Sequence, residues 1–128
     1  MLINDYVSAA AGRSPHSVPL FWWQGWSSAW YVASVYSLTN FSCHEPGTFI
    51  LARCEAHGRR TPLLIGSAEA VSDDLFANHG DALLRAIKAG ATEVHVHLAA
   101  ETAEQRLLAT EDIADGWQMT ACSVPVHA

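Results

Sequence analysis

Two histidines and a carboxylate alternate with valines in one short stretch of this sequence. Glu93, His95 and His97 are separated by Val94 and Val96, and side chains two residues apart on a β-strand project from the same face of the sheet. Two imidazoles and a carboxylate are ligands that zinc and similar divalent ions accept. The spacing therefore predicts a candidate metal site on one face of a strand.

Such a site needs further ligands from other elements. Four residues elsewhere in the sequence could each supply a further ligand: Cys43, His44, His57 and His79. In a metal-dependent hydrolase, a carboxylate of the last predicted helix, such as Glu104 or Glu111, would complete the site. The more ordinary interpretation is that His95 and His97 form hydrogen bonds within a polar layer of the sheet. We therefore expect no cofactor and keep a bound divalent metal as the alternative.

Aromatic side chains are dense near the start of the chain. They are Phe21, Trp22, Trp23, Trp26, Trp30 and Tyr31. Aromatic residues bury a large area per side chain, and a chain of this size has a limited interior. We expect some of these residues in the core and take the four tryptophans and the tyrosine as candidate interface residues. The occupant of such an interface would be a protein partner or a second copy of the chain.

Composition narrows the possible partners and location. The chain has 128 residues, of which 50% are hydrophobic and 16% charged, which predicts one folded domain rather than a disordered chain. Its formal net charge of -6 disfavours nucleic acid as a partner. Polar residues and a glycine interrupt the apolar stretch 18–38, so we predict no membrane span. Three cysteines without a CxxC pair and the absence of a signal-peptide pattern favour the cytoplasm.

Turn residues and hydrophobic periodicity divide the chain into an irregular arm (1–19), one domain (20–116) and a tail (117–128). The predicted elements are strands over 30–38, 48–53 and 62–66, helices over 72–79 and 82–89, a strand over 92–98 and a helix over 102–115. The strands 48–53 and 62–66 are expected to form an antiparallel hairpin. The predicted fold class is α/β of the α+β type, with a small, mainly antiparallel sheet of three to four strands flanked by helices.

Gly-Thr-Phe stands at residues 47–49, at the start of the first strand of the predicted hairpin, and Leu-Ile-Gly stands at residues 64–66, at the end of the second. With this order of elements, the two runs resemble the first and second signatures of the GIY-YIG nuclease superfamily, and the resemblance covers about residues 46–113. Residues 67–79 resemble the loop and helix that follow. The resemblance implies a three-stranded antiparallel sheet flanked by helices and the metal-assisted hydrolysis of a DNA phosphodiester.

Four positions that carry the chemistry of that family hold other residues here. Phe49 and Leu64 stand in place of the two signature tyrosines. Asp74 stands in place of an arginine, and Thr110 in place of the metal-binding glutamate. Cleavage of a phosphodiester needs a phenol or similar group to orient water, a cation against the phosphate and a carboxylate for the metal. The resemblance therefore implies a domain that has lost its nuclease residues.

These observations favour a GIY-YIG-like, non-catalytic binding or interaction module that acts in the cytoplasm through its Trp-rich segment. The alternative is a metal-dependent hydrolase or nuclease that uses Glu93, His95 and His97 with a carboxylate of the last helix. The two hypotheses place the functional surface in different parts of the sequence, so the positions of these side chains discriminate between them.

Overall fold

The computed structural model describes residues 18–123. Within this range the strands are β1 (Leu20–Gln24), β2 (Trp30–Ser37), β3 (Gly47–Cys54), β4 (Arg60–Ala68), β5 (Glu93–His97) and β6 (Cys122–Ser123), and the helices are α1 (Val71–Asn78), α2 (Gly80–Lys88) and α3 (Ala103–Gly116). Most of the predicted arm, 1–17, and the last part of the predicted tail, 124–128, lie outside the described residues.

All the described strands form one sheet, in the order β1-β2-β5-β3-β4-β6. The four pairings among strands β1 to β5 are antiparallel, and the two-residue β6 pairs with β4 in parallel. The predicted α+β class is confirmed, but the predicted count of three to four strands is wrong. Residues 20–24 form a strand of their own, because a reversal at Gly25–Ala29 pairs them with β2.

The hairpin of β3 and β4 contains an irregularity at Pro62. Leu51 pairs with Leu64, whereas Ala52 pairs with Pro62, so Leu63 has no partner across the strands. Proline lacks the N–H group that a regular ladder needs, and a bulge accommodates that loss. The sequence predicts that this strand begins at Pro62, but β4 begins two residues earlier, at Arg60.

Alternation along the strands produces two cores, one on each face of the sheet. On β3, Phe49 and Leu51 point toward α1 and α2, whereas Ile50 points toward α3. The core on the α1/α2 face also contains Val71, Leu75, Leu83, Val94 and Val96. The core on the α3 face also contains Trp23, Ala33, Ile65, Ile113 and Ala114. Both faces of the central strands are therefore buried, which explains the nearly continuous apolar sequence of β3.

Asp112 of α3 fixes the loop of the β1–β2 hairpin. Its carboxylate accepts hydrogen bonds from the backbone N–H of Ser27 (2.9 Å), from the Ser27 hydroxyl (2.6 Å) and from the Tyr31 hydroxyl (2.7 Å). The backbone N–H of Trp26 donates to the Asp112 carbonyl (2.9 Å). A β-carbon at Gly25 would overlap the carboxylate, so the close approach requires glycine there.

The same contacts shift two pKa values in opposite directions. Burial alone would raise the pKa of Asp112, but the hydrogen bonds from Ser27 and Tyr31 outweigh burial and lower it. Burial and the hydrogen bond to this carboxylate raise the pKa of Tyr31 to about 12. At neutral pH the carboxylate is therefore charged and the phenol is protonated, as these hydrogen bonds require.

Removal of this carboxylate should loosen the hairpin. We expect Asp112→Ala to lower the free energy of unfolding by about 1–2 kcal/mol, because three donors lose a charged acceptor at a partly exposed site. Urea unfolding measures the change. Asp115→Ala, on the same helix and exposed, is the matched control and should change the stability by less than about 0.5 kcal/mol. Equal stability of the two variants would contradict the role given to Asp112.

Candidate functional site

The side chains of Glu93, His95 and His97 project from the α3 face of β5. The intervening Val94 and Val96 lie in the core on the opposite face. Both histidines are buried, and Glu93 is half-buried. The alternation in the sequence thus places the three polar side chains on one face, but their contacts lie mainly with other elements.

His95 is enclosed by aromatic rings and bonded through both ring nitrogens. The indole N–H of Trp23 donates to Nδ1 of His95 over 3.0 Å. Since Nδ1 is an acceptor, the proton of the neutral ring is on Nε2, which donates to Oε1 of Glu93 over 2.9 Å. The ring centroids of Phe21 and Trp23 each lie 5.3 Å from the imidazole centroid, with the ring planes inclined by 75° and 67° to the imidazole.

Glu93 links His95 to an arginine of β4. Arg60 binds the carboxylate in a bidentate manner, with Nε 2.9 Å from Oε1 and Nη2 3.0 Å from Oε2. Its remaining nitrogen Nη1 donates to the Gly58 carbonyl over 2.7 Å, and its guanidinium lies 5.5 Å from the Phe21 ring centroid. Trp23, His95, Glu93 and Arg60 thus form a continuous buried polar chain.

Burial and pairing set the charge states along the buried polar chain. Burial lowers the pKa of His95 below its usual value, although the hydrogen bond to Glu93 opposes the shift. Burial alone would raise the pKa of Glu93, but hydrogen bonds from His95 and Arg60 lower it to about 2. At neutral pH, His95 is therefore neutral with both nitrogens occupied, and the ionised Glu93 is paired with Arg60.

These contacts leave His95 and His97 poorly suited to metal binding. The Nδ1–H of His97 donates to the Val32 carbonyl over 2.6 Å, and its ring lies at the edge of Tyr31. Across residues 18–123, no group of three His, Cys, Asp or Glu side chains is arranged to hold a metal ion. The metal site stays a prediction from the sequence, and the geometry does not favour it.

Among the described residues, none of the other proposed ligands forms a metal-binding group with His95 and His97. Cys43 lies in the core on the α1/α2 face. The ring of His79 lies against Phe49 on that same face, with its Nε2 buried and unpartnered among the described residues. The two candidate carboxylates of the last helix, Glu104 and Glu111, are exposed on α3.

The four residues that stand at catalytic positions of the nuclease family do not lie together in one site. Phe49 is fully buried on the α1/α2 face, and Leu64 packs against the same core. Asp74 accepts hydrogen bonds from backbone N–H groups in the turn before α1. Thr110 is buried on the α3 face, where its hydroxyl lies 2.8 Å from that of Thr48. The sheet separates Thr110 from Phe49 and Leu64.

The candidate interface residues divide into buried and exposed members. Trp23 is only 2% exposed and belongs to the core, while Trp22 and Tyr31 are half-buried. Trp26 and Trp30 are 72% and 58% exposed. Hairpin geometry explains part of this division. Trp23 and Tyr31 are paired across the strands and share the α3 face, whereas Trp30 lies on the other face.

Sequence reasoning missed Arg60 and Trp23 as members of the buried polar chain, and Trp117 as an exposed aromatic residue. Trp117 follows α3, is 42% exposed and packs at 6.1 Å against the Trp23 ring. Arg60 and Trp23 are 33 and 72 residues from their partners. The sequence offered one usable signal. Glu93 lies on a predicted strand, and a carboxylate inside a sheet requires a cation or hydrogen-bond donors as partners.

Comparisons with known proteins do not extend the assignment beyond the fold class. No protein-family model matches the chain, and neither the curated proteins nor the solved structures gave a match. In the part of the chain that the structure describes, no helix has the length and apolar character needed to cross a bilayer. The fold and the contacts define an α+β domain with a buried polar chain and an exposed aromatic hairpin.

The buried polar chain predicts loss of stability in acid. The folded pKa of His95 lies below its usual 6.5, so the unfolded chain binds that proton first and stability falls as the pH drops below 6.5. Glu93 has a folded pKa of about 2 against 4.5, which adds a second loss of stability below pH 4.5. Urea unfolding at a series of pH values from 8 to 3 measures both phases.

His95→Gln separates the two phases. A glutamine amide can accept from Trp23 and donate to Glu93 but does not titrate, so we expect the decline that begins near pH 6.5 to shrink while the decline below pH 4.5 persists. An unchanged profile in this variant would show that the upper phase belongs to another group.

Proposed function

We propose that this chain is a non-catalytic binding module that acts in the cytoplasm and docks a protein partner on its β1–β2 hairpin. The observation that carries the proposal is the exposure of Trp26 and Trp30 at 72% and 58%. Tryptophan is among the residues that contribute most to binding at protein interfaces. Two indoles left in water on one hairpin form the strongest candidate contact surface on the described part of the chain.

The hairpin holds these indoles in a fixed position. The backbone of Trp26 is bound to Asp112, and Tyr31, next to Trp30, is bound to the same residue. On the other side of the hairpin, Trp23 is anchored to His95. A surface that is ordered before binding loses little conformational entropy when a partner docks. This rigidity favours a binding role for the hairpin.

The same proposal includes descent from a GIY-YIG-like domain without its activity. The antiparallel unit β4-β3-β5, followed along the chain by α1 and α2 after the hairpin and by α3 after β5, supports the resemblance in element order. The burial of Phe49 and the hydrogen bond of Thr110 to Thr48 support the loss of chemistry. The net charge of -6 supports a protein rather than a nucleic acid as the partner.

The test is partner capture by the full chain and by a double variant. We expect Trp26→Ala/Trp30→Ala to weaken the binding of a partner by at least about 30-fold, because interface tryptophans commonly contribute about 2 kcal/mol or more. Proteins retained from cells that express this chain identify the partner, and calorimetry with the purified pair measures the affinity.

Phe76→Ala is the matched control, since Phe76 is 52% exposed on α1, away from the hairpin. It should bind the partner as the unmodified chain does. Circular dichroism and urea unfolding confirm that both variants are folded. Equal binding by the double variant, or magnesium-dependent nicking of DNA by the unmodified chain, would contradict the proposal.

A further inference from the structure

The loop of the β1–β2 hairpin and the last turn of α3 meet at close range. The Trp26 N–H donates to the Asp112 carbonyl, and a β-carbon at Gly116 would lie 3.1 Å from the Trp26 nitrogen. Asp115 and Trp117 flank Gly116 in the sequence, Glu111 lies one helical turn before Asp115, and the Trp117 ring packs against Trp23 of β1. We call Trp26, Glu111, Asp115 and Trp117 the hairpin–α3 surface; all four side chains are exposed.

This surface carries negative charge and no positive charge. The carboxylates of Glu111 and Asp115 make no hydrogen bond or ion pair with residues 18–123, and the last turn of α3 contains no basic residue. No lysine or arginine occurs in 18–52 or in 107–128. The carboxyl end of a helix adds a further partial negative charge. The hairpin–α3 surface therefore carries two carboxylates that have no cationic partner among the described residues.

One kind of side chain complements both properties. An arginine guanidinium stacks on an indole face and binds carboxylates through paired N–H groups, and it is less strongly hydrated than the ammonium of lysine. We propose that an arginine-bearing segment of a partner protein docks on the hairpin–α3 surface. Its guanidinium groups stack on Trp26 and Trp117 and pair with Glu111 and Asp115. This inference rests on the proposed function and names the chemistry of the partner.

Three synthetic nonapeptides test this specificity directly. Each alternates glycine with a second residue, which is arginine, lysine or glutamine. We expect the arginine peptide to shift the indole N–H resonances of Trp26 and Trp117 in a two-dimensional NMR titration, and to bind about threefold more tightly than the lysine peptide. The glutamine peptide should give no shift. Affinity for the arginine peptide should fall as salt is raised from 50 to 300 mM.

Charge and aromatic variants test the residues. Glu111→Gln/Asp115→Asn should lower the affinity for the arginine peptide by about tenfold, since each exposed ion pair contributes a factor of a few. Trp26→Ala should lower this affinity by about fivefold. Asp73→Asn/Asp81→Asn removes the same charge from α1 and α2 and is the matched control. It should change the affinity by less than about twofold, the change expected from long-range charge alone.

The outcomes separate this inference from the proposed function. Equal binding of the arginine and glutamine peptides, or equal loss in the two charge variants, would overturn the arginine inference. Self-association that Trp26→Ala abolishes, without peptide binding, would assign the surface to a second copy and overturn it as well. If the peptides fail while Trp26→Ala/Trp30→Ala still loses the captured partner, the proposed function stands with a partner of other chemistry.

Discussion

A buried imidazole must find partners for both ring nitrogens, and in this protein that requirement joins strands from opposite sides of the sheet. His95 on β5 receives a hydrogen bond from Trp23 on β1 and donates to Glu93, which Arg60 on β4 neutralises. In the strand order β1-β2-β5-β3-β4-β6, these contacts cross five adjacent strands. The buried polar chain therefore fixes the relative positions of the β1–β2 hairpin and the β3–β4 hairpin.

The energetic role of the buried polar chain is specificity more than net stability. A half-buried ion pair such as that of Arg60 and Glu93 gains little over apolar residues of the same volume, but an unpaired charged group left inside the protein costs several kcal/mol. Alternative placements of β1 would leave His95 without a donor and expose the apolar surface of Trp23. The native placement of β1 is therefore favoured over these alternatives.

The same organisation separates the buried polar chain from the exposed aromatic residues of the hairpin. His95 and Glu93, the side chains best suited to catalysis or metal binding, are occupied by internal contacts. The exposed aromatic residues lie at the other end of the hairpin, where Asp112 holds the loop on α3. Because β1 is anchored on the sheet by Trp23 and at its loop by Asp112, Trp26 stands on a rigid support. This division is the structural basis on which a binding role is proposed.

Local patterns in the sequence determined several elements. The alternation around His95 predicted β5. Thr102 and Gln105 have the spacing of a capping box and form one at the start of α3, and Gly90 adopts the positive φ of 108° that ends α2. Each of these signals depends on residues within one turn or one strand. The helix predicted over 72–79 shows the limit of such signals. A serine at its first position is a typical N-cap residue, but α1 begins at Val71 and the Ser72 hydroxyl accepts a hydrogen bond from the Cys43 backbone N–H instead.

Only the tertiary structure decided which aromatic residues are buried and which groups His95 contacts. Trp23 and Trp26 are alike in the sequence, but Trp23 lies on a paired strand face while Trp26 lies in a turn held by α3. The partners of His95, Glu93 and Asp112 come from 72, 33 and 85 residues away. Such contacts depend on strand order and register, which local hydrophobic periodicity does not encode.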